Sequence, residues 1–207
     1  METFLSALGI SFVALFPLVN PVGAIPVFCS LTAEASASDR RRTALKTALS
    51  VMTILLVFYF VGEFLLEFFG ISLGVLKIAG GFIVAHAAWE MLTTKSRLSA
   101  DEHKEIQAKE DISLTPMALP LLSGPGAIGV AIGMSIEGYK IDYTLGTSAG
   151  IVLISAVVYI ALLSSIPLYK VLGKTGVGVL NRIMGFFILA IAVQLIANGV
   201  TMLFKIH

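Results

Sequence analysis

The stretch PLVNPVGAIP, residues 17–26, lies in the middle of the first long apolar run of the chain. It contains three prolines, one glycine and one asparagine. Proline inside a helix removes a backbone hydrogen bond, and its ring clashes with the carbonyl of the residue four positions earlier. If the run lies in lipid, the freed backbone groups need partners in protein or in a water-filled cavity. The stretch therefore predicts a helix that is interrupted near its midpoint.

The composition places that helix in a membrane. Of the 207 residues, 57% are hydrophobic and 13% are charged, whereas about 25% are charged in ordinary soluble domains. The mean hydropathy is +0.95. Six apolar runs are long enough to cross a hydrocarbon core of about 30 Å as helices, at residues 4–31, 43–69, 73–92, 113–136, 143–169 and 179–204. None alternates as a membrane β-strand does, so we predict an all-α integral membrane protein with six transmembrane helices.

The basic residues are distributed unevenly over the loops. Alternate loops on one side hold 11 of the 14 lysines and arginines: Arg40, Arg41, Arg42, Lys46, Lys95, Arg97, Lys104, Lys109, Lys170, Lys174 and Arg182. The other side holds Lys77, Lys140 and Lys205. Short loops rich in lysine and arginine stay in the cytoplasm. We therefore predict a multi-pass protein of the cell (inner) membrane with both termini on the extracytoplasmic side.

A polar segment at residues 94–112 divides the apolar runs into two groups of three. Its lysines, glutamates and small polar residues are typical of a solvated connector rather than of a folded domain. We therefore predict a first three-helix unit at residues 1–93, a cytoplasmic linker at 94–112 and a second three-helix unit at 113–207.

The two units resemble each other in sequence. PLVNPVGAIP at 17–26 and PLLSGPGAIG at 120–129 are identical at five of ten positions. KIAGGFIVAHA at 77–87 matches RIMGFFILAIA at 182–192 at nearly the same offset. Because each unit crosses the membrane three times, the second must enter from the opposite face. This pattern predicts an inverted repeat, a common construction of secondary transporters.

The second copy of the motif carries the same kind of helix breakers. Pro116, Pro120 and Pro125, with Gly124 and Gly126, interrupt the fourth apolar run as PLVNPVGAIP interrupts the first. Helices 1 and 4 are thus both predicted to break near the membrane midplane. Matching breaks in a repeat mark the substrate site of many transporters, and the alternative is a kink satisfied by packing.

The ends of broken helices offer a distinct chemistry. A half-helix N-terminus has free N–H groups and a partial positive charge that suits a carboxylate, whereas freed carbonyls suit an ammonium group. Asn20 and Ser123 occupy matching positions and either contact the ligand or cap the broken helices. Gly23, Gly124 and Gly126 allow close approach of the backbone. The sequence therefore predicts a small zwitterionic ligand between the two breaks.

Four polar side chains within the apolar runs are candidates for ion coupling or for the pathway: His86, Gln194, Asn198 and Glu63. Glu63 also fits an interfacial charge cluster, and His86 fits a hydrogen bond within the bundle. Glu90 is predicted to lie at the membrane interface. The pattern GTSAG at 146–150 predicts a helix-packing contact. With one cysteine and three scattered histidines, we expect no metal site and no cofactor beyond coupling to H⁺ or Na⁺.

Three stretches carry a resemblance to a known family: NPVGAIPVF at 20–28, ALPLLSGPGAI at 118–128 and RIMGFFILAIAVQLIANG at 182–199. Over essentially its whole length the chain resembles the MarC family of six-helix inner-membrane proteins. The resemblance implies transport of small neutral amino acids, with glycine and alanine as substrates and coupling to a cation gradient. By motif match it assigns the substrate site to seven residues: Asn20, Pro21, Gly23, Ser123, Gly124, Pro125 and Gly126.

These observations predict a secondary transporter that moves glycine, alanine or serine across the cell membrane by alternating access. An enzyme is not expected, because no nucleophile and base, and no metal cluster, lie at one depth. The alternatives are an exporter or channel for another small metabolite and a membrane assembly subunit without transport activity. The expected partners are a small zwitterionic substrate and the lipid bilayer; a homo-oligomer is left open, and no nucleic acid is expected.

Overall fold

A computed structural model of the chain describes residues 2–93, 113–137 and 140–204. Within these ranges the chain is helical and contains no β-strand, which confirms the predicted all-α class. The elements are α1 (Glu2–Val19), α2 (Pro21–Leu31), α3 (Ala37–Phe69), α4 (Leu73–Leu92), a π-helix π1 (Ser113–Leu122), α5 (Pro125–Glu137), α6 (Ile141–Leu163) and α7 (Ser165–Phe204). The predicted linker at 94–112 lies outside the described residues.

Four helices are long and apolar enough to cross a membrane: α3, α4, α6 and the Thr175–Phe204 part of α7. Helices α1 and α2 form a bent pair, with 43° between them, that makes a fifth candidate when counted as one span. The predicted fourth span, at 113–136, is divided into π1 and the short helix α5. Neither piece is long enough to cross alone, so the described ranges show four or five candidate spans rather than the predicted six.

The boundary between the last two predicted spans also differs from the sequence prediction. The apolar run at 143–169 is not one helix, because α6 ends at Leu163 and α7 begins at Ser165. Within α7, Gly173 has φ 63° and ψ 179°, which interrupts the helical backbone. This conformation is open to glycine and essentially closed to other residues. The long apolar part of α7 therefore begins after this break.

Close helix contacts depend on glycine. A Cβ atom at Gly199 in α7 would lie 2.6 Å from the carbonyl oxygen of Gly74 in α4. A Cβ atom at Gly150 in α6 would lie 2.9 Å from the carbonyl oxygen of Leu8 in α1. Small residues allow such backbone approach in membrane bundles. The packing interpretation of GTSAG at 146–150 is therefore confirmed.

The buried side chains form two clusters. The larger joins α1, α2, α3, π1, α5 and α6, and the smaller joins α4 to α7 through Val84, Met91 and Ile188. Leu18 packs against both clusters. Large apolar side chains cover much of the exterior, with Phe68 at 71% exposure as an example. Such a surface is suited to lipid rather than to water.

Candidate functional site

The first helix break lies at Asn20, between α1 and α2. Asn20 has φ 47° and ψ 62°, the left-handed conformation that asparagine tolerates better than most residues. It is the one non-glycine residue with positive φ in the described part of the chain. Pro21 follows at the first position of α2, where its missing N–H costs no helical hydrogen bond. The predicted break is confirmed, although Pro17 and Pro26 lie inside α1 and α2.

The side chain of Asn20 is held at both ends of its amide. Its Oδ1 accepts a hydrogen bond from the Gly23 N–H at 3.0 Å, and its Nδ2 donates to Met91 Sδ at 3.7 Å. Asn20 is only 2% exposed. A Cβ atom at Gly23 would lie 2.8 Å from Asn20 Cγ, so glycine leaves the room that this cap needs. The capping interpretation of Asn20 is therefore confirmed.

The second helix break lies at Ser123 and Gly124, between π1 and α5. The Ser123 N–H donates to the Ala118 carbonyl at 2.8 Å, five residues back, and closes the π-helix. Ser123 is fully buried, and its hydroxyl has no hydrogen-bond partner among the described residues. The two breaks therefore differ: an asparagine caps the first from within, whereas the serine at the matching position does not cap the second.

A cavity of about 230 Å³ lies beside the second break. Of the seven predicted site residues, Gly124, Pro125 and Gly126 line it. The rest of the described wall comes from α1, α4, π1, α5 and α7: Leu18, Ile83, Val84, Ala87, Glu90, Met91, Leu121, Ala127 and Ile188. Three of the four residues in the second half of the predicted site thus border one open space.

The first break contacts the cavity wall through one side chain rather than forming part of it. Asn20, Pro21, Gly23 and Ser123 are not among its described wall residues. However, Asn20 donates to Met91, and the Met91 side chain is part of the wall. The capped break therefore lies one side chain behind the cavity.

Gly126 sets the size of the cavity at the start of α5. A Cβ atom at this position would collide with Val84 Cγ2 and would lie 3.5 Å from Leu18 Cδ2. Both of these side chains also line the cavity. Any side chain at residue 126 would therefore force its neighbours to move or would fill the space.

The four other candidate residues lie away from this cavity. His86 is exposed on α4. Gln194 and Asn198 are exposed on α7, where Gln194 Nε2 donates to Asn198 Oδ1 at 2.7 Å. Glu63 lines a separate recess beside the turn between α3 and α4. Their suggested roles in coupling or in the pathway stay predictions.

Glu90 is the charged residue of the described wall that the sequence did not place at the site. Its place near the end of α4 suggests an interfacial residue, which stays a prediction, and the structure places it half-buried in the cavity wall. Val84, Ala87 and Glu90 are spaced three residues apart, as expected for one helix face. That spacing would have pointed to Glu90 had the sequence shown which face of α4 borders the cavity. Within the described ranges, no group of three or more potential metal ligands lies together.

Comparison with known proteins agrees with this architecture. The profile described as MarC family integral membrane protein matches residues 5–204. UPF0056 membrane protein YhcE of Escherichia coli is 37% identical over 196 residues, covering 93% of this chain and 91% of that protein. UPF0056 membrane protein MJ1677 of Methanocaldococcus jannaschii is 37% identical, covering 92% of this chain and 94% of its own length.

A further relative carries the family's name. UPF0056 inner membrane protein MarC of Escherichia coli is 30% identical over the full length of both chains. No solved structure matches the chain. The match to the family profile over nearly every residue and the full-length relatives lead to one conclusion: the chain is an integral membrane protein of the MarC family.

Proposed function

We propose that the protein is a secondary transporter that moves small neutral amino acids, such as glycine, alanine and serine, across the cell inner membrane by alternating access. The observation that carries this proposal is the cavity beside the second of two broken helices, with the first break one side chain away. Broken helices that meet at a central cavity are a construction of transporters.

The helix packing supports an inverted repeat with six crossings. The bent pair α1–α2 corresponds to π1–α5, α3 to α6, and α4 to α7. Under this exchange, the α1–α6 contact corresponds to the π1–α3 contact. The α2–α7 contact likewise corresponds to the α5–α4 contact. All four contacts are present. The α4–α7 and α3–α6 contacts map onto themselves. In this proposal π1 and α5 together form the fourth crossing.

The cavity dimensions support a small substrate. A volume of about 230 Å³ is below the range of roughly 300–1,000 Å³ found for drug-sized ligands. Gly126 and Val84 approach each other closely in this wall, so a side chain at residue 126 would reduce the space further. Glycine, alanine and serine are small enough for this space.

The charge distribution supports an orientation. Arg40, Arg41 and Arg42 lie at the start of α3, at the same end of the bundle as the C-terminal end of α2. By the positive-inside rule this side faces the cytoplasm, and both termini face the opposite side. The name of one relative, inner membrane protein MarC, supports a location in the inner membrane.

Transport into liposomes tests the proposal. The purified chain is reconstituted, and uptake of radiolabelled glycine, alanine and serine is measured under imposed Na⁺ and H⁺ gradients. We expect saturable uptake and counterflow, in which unlabelled substrate inside the vesicles accelerates entry of label. Uptake without saturation or counterflow would instead identify a channel. Absence of uptake for all three amino acids under both gradients would refute the proposed substrate class.

A further inference from the structure

Glu90 supplies a charged side chain to the described wall of the cavity. Among the described residues that line it, Glu90 is the only one with an ionisable side chain. The others are apolar residues, glycine or proline, with one methionine. An apolar wall offers an entering cationic group no other charged side chain to bind among the described lining residues. Any cationic group that enters the cavity therefore meets Glu90 as its one charged partner in this wall.

The α5 side of the same cavity has the opposite polarity. Pro125 begins α5 and has no N–H, and the first helical bond joins the Ile128 N–H to the Gly124 carbonyl at 3.1 Å. The N–H groups of Gly126 and Ala127 therefore precede the hydrogen-bond ladder, and both residues line the cavity. A helix start carries a partial positive charge that favours an anionic group.

The two helix breaks are not equivalent in this respect. At the first, Asn20 Oδ1 accepts from the Gly23 N–H, so the protein itself occupies this donor at the start of α2. At the second, the matching Ser123 hydroxyl is buried without a partner among the described residues, so it does not cap the start of α5. The Gly23 N–H is therefore occupied at the first break, whereas at the second the serine in the matching position leaves the corresponding donor uncapped.

We propose that Glu90 determines specificity by binding the ammonium group of the substrate, whose carboxylate lies at the start of α5. This inference rests on the proposed transport function, because it assigns the groups that orient a zwitterion in that cavity. A solute that lacks the ammonium group would leave the Glu90 carboxylate without a counter-charge. Such a solute is expected to bind more weakly.

Two measurements on the full chain test the role of Glu90. In liposomes, the KM for glycine is compared among wild type, Glu90→Gln and Glu34→Gln. Glu34 is an exposed carboxylate in the turn after α2, outside the cavity wall, and serves as the matched control. We expect Glu90→Gln to raise KM about tenfold or more, as for loss of a charge-assisted contact, and Glu34→Gln to leave it within about twofold of wild type.

The second measurement does not need transport. Thermal unfolding in detergent is followed with ethylammonium chloride and with the same concentration of sodium chloride. A ligand that binds only the folded protein raises its melting temperature. We expect ethylammonium to stabilise wild type, Glu34→Gln and the charge-conserving Glu90→Asp, and not Glu90→Gln.

The outcomes separate this inference from the proposed function. If glycine is transported and Glu90→Gln keeps the wild-type KM, the inference is overturned and the transporter stands. If no amino acid is transported but ethylammonium stabilises only variants with a carboxylate at residue 90, the proposed function fails and Glu90 remains a cation-binding residue. If ethylammonium stabilises no variant, or stabilises Glu90→Gln as much as wild type, the inference is wrong.

Discussion

Asn20 Nδ2 donates to Met91 Sδ at 3.7 Å, across 71 positions of sequence. This contact joins the first helix break to the wall of the cavity, because Met91 lines that wall. The other end of the same amide caps α2 through the Gly23 N–H. A single buried side chain therefore fixes both the shape of the break and its position relative to α4.

Replacement of Asn20 separates its backbone role from its capping role. Asn20→Gly keeps a residue that accepts positive φ and loses the cap, whereas Asn20→Ala loses both. We expect Asn20→Ala to cost about 1–2 kcal/mol of stability and Asn20→Gly clearly less. Thermal unfolding in detergent measures the order. If Asn20→Ala melted at the wild-type temperature, neither role would matter for stability.

The contact with Met91 is tested from the other side. Met91→Leu conserves volume but removes the sulfur acceptor, so the buried Asn20 Nδ2 loses this partner. We expect a loss of about 1 kcal/mol relative to wild type. In the Asn20→Gly background the same change should cost less, because the donor is already absent. Equal costs in both backgrounds would show that the contact contributes nothing.

A side chain at residue 126 is expected to block uptake, and a second substitution at Val84 is expected to relieve the block. Gly126→Ala places a methyl group against Val84, so we expect loss of most amino acid uptake. Val84→Ala in the same chain removes the colliding methyl groups and should restore much of it. Gly129→Ala is the matched control, because its Cβ atom would meet only Leu76 Cγ, at 4.0 Å. Uptake assays that find Gly126→Ala and Gly129→Ala equally active would remove Gly126 from the site.

Substitution of Gly150 is expected to affect the stability of the fold rather than the cavity. A Cβ atom there would approach the Leu8 carbonyl and Ser11 Cβ, at 2.9 and 3.1 Å, so α1 and α6 must separate. We expect Gly150→Ala to cost about 1–3 kcal/mol. Gly9→Ala, on α1, meets nothing within 4 Å and should not destabilise the chain. The comparison is made by thermal unfolding; a Gly150→Ala protein as stable as Gly9→Ala would contradict the observed packing.

The membrane orientation is tested by cysteine labelling. In a Cys29→Ser background, Ser38→Cys and Ile141→Cys place single thiols at exposed positions near opposite ends of the bundle. We expect a membrane-impermeant maleimide to label Ile141→Cys on intact spheroplasts and Ser38→Cys only after permeabilisation. The reverse pattern would invert the predicted topology.

Much of the site was predictable from local sequence. PLVNPVGAIP and PLLSGPGAIG marked both helix breaks because proline and glycine act on the backbone of their own segment. The sequence did not indicate which prolines matter: Pro21 and Pro125 begin helices, whereas Pro17 and Pro26 are accommodated within them. The difference arises because a proline costs no helical bond at a helix start, and Asn20 places the start at Pro21.

The sequence by itself determined that this protein is a helical membrane protein with two related halves and two broken helices, since hydropathy and helix breakers act within one segment. The tertiary structure alone decided that Glu90 joins the cavity wall, that His86, Gln194 and Asn198 do not, and that Asn20 is held by Met91. These facts depend on which face of α4 and α7 turns toward α1 and α5. In a chain whose apolar residues face both lipid and core, hydrophobic periodicity does not reveal that face.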